Sequence, residues 1–488
     1  MKGFGRLEFS VFVCGAALMI VEIAGSRIIA PYLGVSLYSW ASIIAVILGS
    51  LSAGYWYGGR LSDRGPSEKT YFAVVLLCGA SVVFIQALVP VAMYLGVPMG
   101  AKYGPLVASL ILFSPASFLF GLVSPFAIRL KAKEVEKVGG VAGSLYAFST
   151  IGSITGTLLA GFFLIPNFGI KATLLLTASL VMATGLMFLR SRMVFAFFAA
   201  LLIIALWAPN MLFATKEPPL FQSDSEYYHI IVGDANSTRT LALDSDMQSA
   251  MHLGTNDYLY HYVRVFPFSL AFVPNPGKVL LVGMGGGTIG RYFLENTDAS
   301  VDAIEIDPAV VEVAKKYFGF PEIPGRTRIF AQDARVFLNS DENSNYDIIF
   351  VDAYASRHSM PYHLTTVEAV ERMKAKLKPG GVVAVNVISA AKGSRSGVFC
   401  AIVSTYSQVF PELYVFLTNP EKPEEVQNVV FFATDETKLD EEKLSELRAQ
   451  FFPEGNGPGP YSGTIEPGLV LTDDRAPIES IVASSLDN

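Results

Sequence analysis

Along the first 215 residues the apolar positions run together rather than alternate. Seven charge-poor stretches follow one another at about 9–20, 37–58, 71–96, 105–128, 140–165, 172–189 and 193–214. Most reach the roughly 20 residues a helix needs to cross a hydrocarbon core. After "TKEPPL" the pattern changes. Short alternating runs between Glu226 and His252, separated by Gly, Asp and Asn, predict a β-meander of two to four strands. Apolar runs bounded by turn residues then predict strands near 278–283, 300–306, 327–331, 346–352, 380–387, 411–417 and 426–434, with helical stretches between them. Such alternation builds a doubly wound, mostly parallel sheet. The expected division is a helical membrane domain of about seven helices (1–215), a small β subdomain (216–265) and an α/β domain (266–488).

Composition agrees with a polytopic membrane protein whose partner is a lipid bilayer: 52% of residues are hydrophobic and the mean hydropathy is +0.44. No cleavable signal peptide fits, because the later apolar stretches would remain. Of 36 basic and 43 acidic residues, 15 and 6 respectively lie at or before Lys216, so the remainder is strongly acidic. That sign argues against nucleic acid as a partner and is compatible with a solvated acidic surface or with a cationic substrate. The three cysteines, Cys14, Cys78 and Cys400, lie too far apart for a zinc spacing or a disulfide framework, and no metal is expected.

Within the helical part, Glu22 and Arg27 interrupt an apolar run, where an ionisable group costs on the order of 2.5 to 3.5 kcal/mol unless it is paired or faces water. They form a candidate polar pair inside the bundle, with a helix–helix contact or snorkelling of Arg27 as the alternatives. Gly152, Gly156 and Ala160, four residues apart, suit close helix approach. "GGRLSDRG" (58–65) resembles the loop between the second and third helices of major facilitator transporters. The uneven Lys/Arg distribution places the N-terminus in the cytoplasm. Seven crossings would then put everything after 214 outside. A catalytic half that needs a cytosolic cofactor favours the cytoplasmic side, with one segment of 172–214 not spanning.

In a doubly wound sheet, ligands bind outside the carboxyl ends of the strands. Here those ends read Gly283-Met-Gly285-Gly-Gly287, Glu305-Ile-Asp307, Gln332-Asp333-Ala334 and Asp352-Ala-Tyr354. Glycines allow backbone to approach a ligand, and an acid about 20 residues on can accept both hydroxyls of a ribose, which is the place of Glu305. Asp333 is placed to take an adenine amino group. Asp307, just before Pro308, suits a helix N-cap.

The segments "SEYYHI", "LALDSDMQSA", "DYLYHY", "VLLVGMGGG", "AIEID", "QDARVFL" and "YDIIFVDAY" resemble the spermidine synthase family of aminopropyltransferases over about 220–435, and the whole chain resembles their membrane-fused relatives. The resemblance implies a class I methyltransferase-like fold for the α/β domain and a place in polyamine biosynthesis. It implies ribose on Glu305 and adenine on Asp333 beside Ala334, and a donor pocket lined by Gln248, Tyr260, His261 and the glycine turn. Asp352 would be the catalytic carboxylate, with Tyr354 beside it. A homodimer is a candidate assembly.

Departures fall on the amine-binding positions. Family members usually carry an acid where this chain has Gly286, a second Asp where it has Ala355, Gln where it has Tyr228 and Glu where it has Tyr262. Tyr228, His358 and His363 are therefore candidates for a different acceptor, and Asp473 and Asp474 in "VLTDDRAPIE" either turn back toward the site or cap a turn. Three readings stand. One is aminopropyl transfer from decarboxylated S-adenosylmethionine to an amine or a membrane-delivered small molecule. The second is methyl transfer from S-adenosylmethionine to a lipid or hydrophobic acceptor. The third is a non-catalytic sensor or transporter.

Overall fold

A computed structural model describes residues 5–34, 36–132, 138–189, 219–244, 246–254, 260–340, 342, 344–353 and 361–486. The chain divides into two compact units, one of 1–218 with 224–226 and one of 219–223 with 227–488.

The first unit is helical: α1 (Arg6–Leu33), α2 (Leu37–Asp63), α3 (Glu68–Gly96), α4 (Gly100–Lys131), α5 (Val138–Leu159) and α6 (Ile165–Leu189). Ser36 and Ser67 start α2 and α3 by accepting from the amides of Ser39 and Thr70, satisfying donors that a helix start leaves open. The fifth apolar stretch continues through a π turn at Ala160–Leu164, and the expected break before the sixth falls at Gly169, whose non-helical backbone, with φ of +72°, suits glycine. Among the described residues, five helical runs are long and apolar enough to cross a membrane, the run Val138–Met187 counting as one. The stretch 193–214 lies outside the described residues.

Glycines set the helix contacts. A Cβ at Gly152 or Gly156 would stand 2.1 Å from the Phe12 carbonyl oxygen or 2.2 Å from that of Ala16, so α5 lies directly on α1. Gly54 and Gly121 bring α2 onto α4 in the same way, and Gly79 and Gly185 bring α3 onto α6. Glu22 and Arg27 are both half-buried on α1, five residues and therefore roughly 140° apart around its axis.

The second unit begins with a four-stranded sheet in the order β1 (Phe221–Asp224), β2 (His229–Ala235), β3 (Thr238–Leu243) and β4 (Asp246–His252). Asn236 and Ser237, at φ +48° and +61°, make the β2–β3 turn, the conformation a tight hairpin demands. One face of this sheet, with Ile230, Val232, Leu241 and Leu243, packs on Val310, Val313 and Phe318.

The larger sheet has seven strands: β5 (Lys278–Val282), β6 (Ser300–Glu305), β7 (Thr327–Ala331), β8 (Tyr346–Val351), β9 (Leu377–Ser389), β10 (Glu412–Leu417) and β11 (Gln427–Thr434). Their order is β10-β11-β9-β8-β5-β6-β7. The pairs β7-β6, β6-β5, β5-β8 and β8-β9 are parallel, whereas β11 runs antiparallel to both β9 and β10, so the sheet is mixed. Helices α7 (Thr288–Asn296), α8 (Pro308–Phe318), α9 (Ala334–Asn339), α10 (Val367–Lys376), α11 (Gly397–Tyr406), α12 (Glu441–Phe451) and α13 (Ile478–Leu486) complete it.

Alternate strand residues feed two separate cores. Leu280, Val282, Ile349, Val383 and Val385 enter one, and Val279, Leu281, Ile348, Phe350 and Val382 the other. A sheet covered on both faces needs such continuous apolar runs. Phe350 is fully buried, 5.2 Å from the Phe266 ring and 5.1 Å from that of Phe293, and anchors β8 two residues before Asp352. Its truncation to Ala costs on the order of 3 to 5 kcal/mol. From β5 the chain passes outward to β6 and β7, then returns to β8 on the other side of β5. The point where the order reverses lies between the ends of β5 and β8.

Candidate active site

A cavity of about 130 Å³ opens at that reversal, where ligands of doubly wound sheets bind. Four strand ends and the meander supply it: Gly283, Met284 and Gly285 after β5, Glu305 and Ile306 at the end of β6, Gln332 to Ala334 after β7, Asp352 and Ala353 after β8, and Gln248 and Ser249 from β4. Tyr228, Tyr262 and His363 also line it.

Gly283 must be glycine. Its φ is +87°, and a Cβ there would stand 2.4 Å from the backbone oxygen of Asp352. The Gly286 amide donates to the Ser249 hydroxyl at 2.9 Å, tying the turn to β4.

Glu305 is buried. Its Oε2 accepts from the amides of Met284 and Gly285 at 3.1 and 3.3 Å, and Oε1 from that of Asp307 at 3.2 Å. Burial pushes its carboxyl above the usual range, opposed by these three bonds. Asp307 accepts from the Ala309 amide at 2.9 Å and starts α8, as its place before Pro308 predicts.

Asp352, half-buried at the end of β8, accepts from Asn386 Nδ2 at 2.9 Å on one carboxylate oxygen and from the Tyr262 hydroxyl at 3.2 Å on the other. Asn386 in turn accepts from Asn428 Nδ2 at 3.1 Å, so a polar relay crosses β11, β9 and β8. Burial raises the Asp352 carboxyl, and the two donated bonds work against that rise.

Asp333 divides its carboxylate. Oδ1 caps α9 through the amides of Arg335 (2.7 Å) and Val336 (3.2 Å), and Oδ2 lies 3.3 Å from His363 Nε2.

The structure thus brings Gln248, Gly283, Gly285, Glu305, Asp333, Ala334, Asp352, Tyr228 and His363 to one cavity. Gly287, at φ +73°, starts α7 directly behind the turn. Tyr260 and His261 do not line the cavity. Tyr260 stacks on Tyr262, and His261 is exposed with its ring edge-on to Phe452. Tyr262 takes the lining place expected for them. Tyr354 and His358 lie outside the described residues. The sequence reading passed over Ser249, Asn386 and Arg335. Only Asn386 carried a signal, as a lone amide inside the apolar run "VVAVNVIS". Among the described residues no group of His, Cys, Asp and Glu could hold a metal ion.

The family model described as the spermine/spermidine synthase domain matches residues 261–443. A polyamine aminopropyltransferase of Vibrio vulnificus is 30% identical over 206 residues, 40% of this chain and 67% of that protein. The chain belongs to the spermine/spermidine synthase family. Another member, polyamine aminopropyltransferase 2 of Aquifex aeolicus, is 23% identical over 423 residues, 82% of each chain. That alignment is longer than the chain from 219 onward, so the family likeness runs into the helical unit. Putrescine N-methyltransferase 2 of Nicotiana tabacum is 28% identical over 244 residues, 48% of this chain and 67% of that protein.

Proposed function

We propose that this family member transfers an aminopropyl group from decarboxylated S-adenosylmethionine to an amine, with Asp352 as the carboxylate that meets the amine. The observation that carries the reading is the cavity itself. Its described lining holds three carboxylates, Glu305, Asp333 and Asp352, and neither Lys nor Arg. Such a wall suits a donor without a carboxylate and a cationic acceptor.

In the reaction the amine nitrogen forms a bond to the carbon beside the sulfonium, and the C–S electron pair returns to sulfur, leaving neutral methylthioadenosine. The nitrogen then sheds a proton, which Asp352 accepts. Tyr262 and Asn386 fix the Asp352 oxygens by hydrogen bonds and keep its charge where the ammonium develops. Glu305 is assigned to the ribose hydroxyls, because three backbone amides already hold it in one orientation. Asp333 Oδ2, the oxygen not engaged in capping α9, is assigned to the adenine.

The test is methylthioadenosine release by the purified full-length protein with the decarboxylated donor and a panel of diamines. Asp352→Asn is expected to abolish release while leaving donor affinity within a few-fold. Undiminished release would remove Asp352 from this role. Methyl transfer is the second reading, favoured by the Nicotiana tabacum relative and by the missing acid at Gly286. Calorimetric titration with intact and decarboxylated donor decides between them, because tighter binding of the intact form would replace the first reading by the second.

The helical unit we take to span a bilayer, on the length and apolar character of its five candidate runs. The catalytic unit we place in the cytoplasm, where adenosyl donors are made. A reporter fused after residue 486 that is active only outside the cytoplasm would refute that side.

A further inference from the structure

The segment carrying "VLTDDRAPIE" is far in sequence from every residue assigned above, yet it reaches the donor pocket through one arginine. Arg335 gives Nη1 to the His363 carbonyl at 2.7 Å and to the Thr366 hydroxyl at 3.1 Å, and Nη2 to Asp473 Oδ2 at 2.5 Å. Its side chain is 15% exposed, whereas that of Asp473 is 48% exposed, so the pair is buried on the arginine side and open to water on the aspartate side. Asp473 also accepts from Thr366, at 2.7 Å on Oδ1. The segment is locked in place: Val367 donates its amide to the Leu471 carbonyl, Leu471 donates its own to the Thr405 hydroxyl, and the Asp473 amide donates to Glu368. Leu471 is fully buried.

Arg335 touches the pocket twice. Its backbone amide holds one oxygen of Asp333, which leaves the other facing His363. Its guanidinium holds the carbonyl of His363 itself. We propose that Arg335 and Asp473 are positioning residues for the donor, Asp473 clamping Arg335 so that the His363 turn and the Asp333 carboxylate keep a fixed spacing at the cavity wall. This rests on the reading that the cavity takes an adenosyl donor. Asp352 is held by Tyr262 and Asn386, a separate set, so the two halves of the site respond separately.

Steady-state kinetics and methylthioadenosine titration of the full-length protein test the assignment. Asp473→Asn is expected to raise the donor KM and the methylthioadenosine Kd about two- to fivefold, the scale of a partly exposed ion pair, with kcat little changed. Arg335→Lys, which keeps the charge but loses the two-armed grip, is expected to give the same signature. In a His363→Ala background, which keeps the carbonyl that Arg335 grips but removes the ring facing Asp333, Asp473→Asn is expected to add less than it does alone, since the clamp acts on the donor by setting that ring against Asp333. A fall in kcat at unchanged KM, or penalties that multiply in the double variant, would overturn the assignment, as would methylthioadenosine binding that Asp473→Asn leaves intact. Failure of the unaltered protein to bind methylthioadenosine would overturn the donor reading itself and this assignment with it.

Discussion

Burial disfavours the charged form of Asp352, and the hydrogen bonds from Asn386 and Tyr262 work in its favour. Its pKa is raised by burial, so its ionised state contributes least to stability at neutral pH, and the contribution of the protonated form is lost as pH rises through the raised value. Asp352→Asn is therefore expected to raise the thermal midpoint at pH 7 while it removes turnover, which calorimetry and product release check together. The acid limb of the pH–rate profile is expected above the ordinary aspartate range, because the carboxylate must be ionised to accept a proton. Asn386→Ala removes a donor to the charged form and is expected to move that limb further up. A limb that stays put would separate Asn386 from Asp352. The carboxylates themselves were legible, since each ends a strand. The amide beneath them left only a trace, a lone Asn386 inside an apolar run, which marks a buried polar group without naming the neighbour it turns toward.

Elements were read from the sequence nearly residue by residue in the larger sheet, where apolar runs are short and Gly, Asp and Pro bound them. The exceptions have physical causes. Strand β9 begins at Leu377, before Pro379 and Gly380, because pairing of Tyr346 with Leu377 lies beyond a register shift that a propensity argument stops short of. The antiparallel β11 could not be told from a parallel strand, since both were buried runs of similar composition. In the helical unit, the spacing of Gly152 and Gly156 foretold a close contact but not its partner, which is α1. Gly152→Leu is expected to push α5 off α1 and lower the thermal midpoint in detergent by several degrees, on the order of the 1 to 3 kcal/mol that overpacking costs. An unchanged midpoint would mean that this contact contributes nothing to stability.

At the scale of the whole chain, the two units have separate cores: one apolar cluster lies in the helices and three lie in the strands and their covering helices. Residues 219–488 expressed alone are expected to fold and to bind methylthioadenosine with the affinity of the full chain, measured by calorimetry. A fragment that aggregates or fails to bind would show that the helical unit supports the site. The division was legible because mean hydropathy and charge change together near Lys216, while the acceptor was not, because Gly286, Ala355 and Tyr262 replace expected acids without supplying a group that names another partner. The grip of Asp473 on Arg335 also has a consequence for the order of assembly. A chain leaving the ribosome presents Asp352, His363 and Asn386 well before Asp473 emerges. The wall around Asp352 can therefore set while the wall of Asp333 and His363 is still loose, and a nascent chain halted short of that aspartate would hold the first without the second.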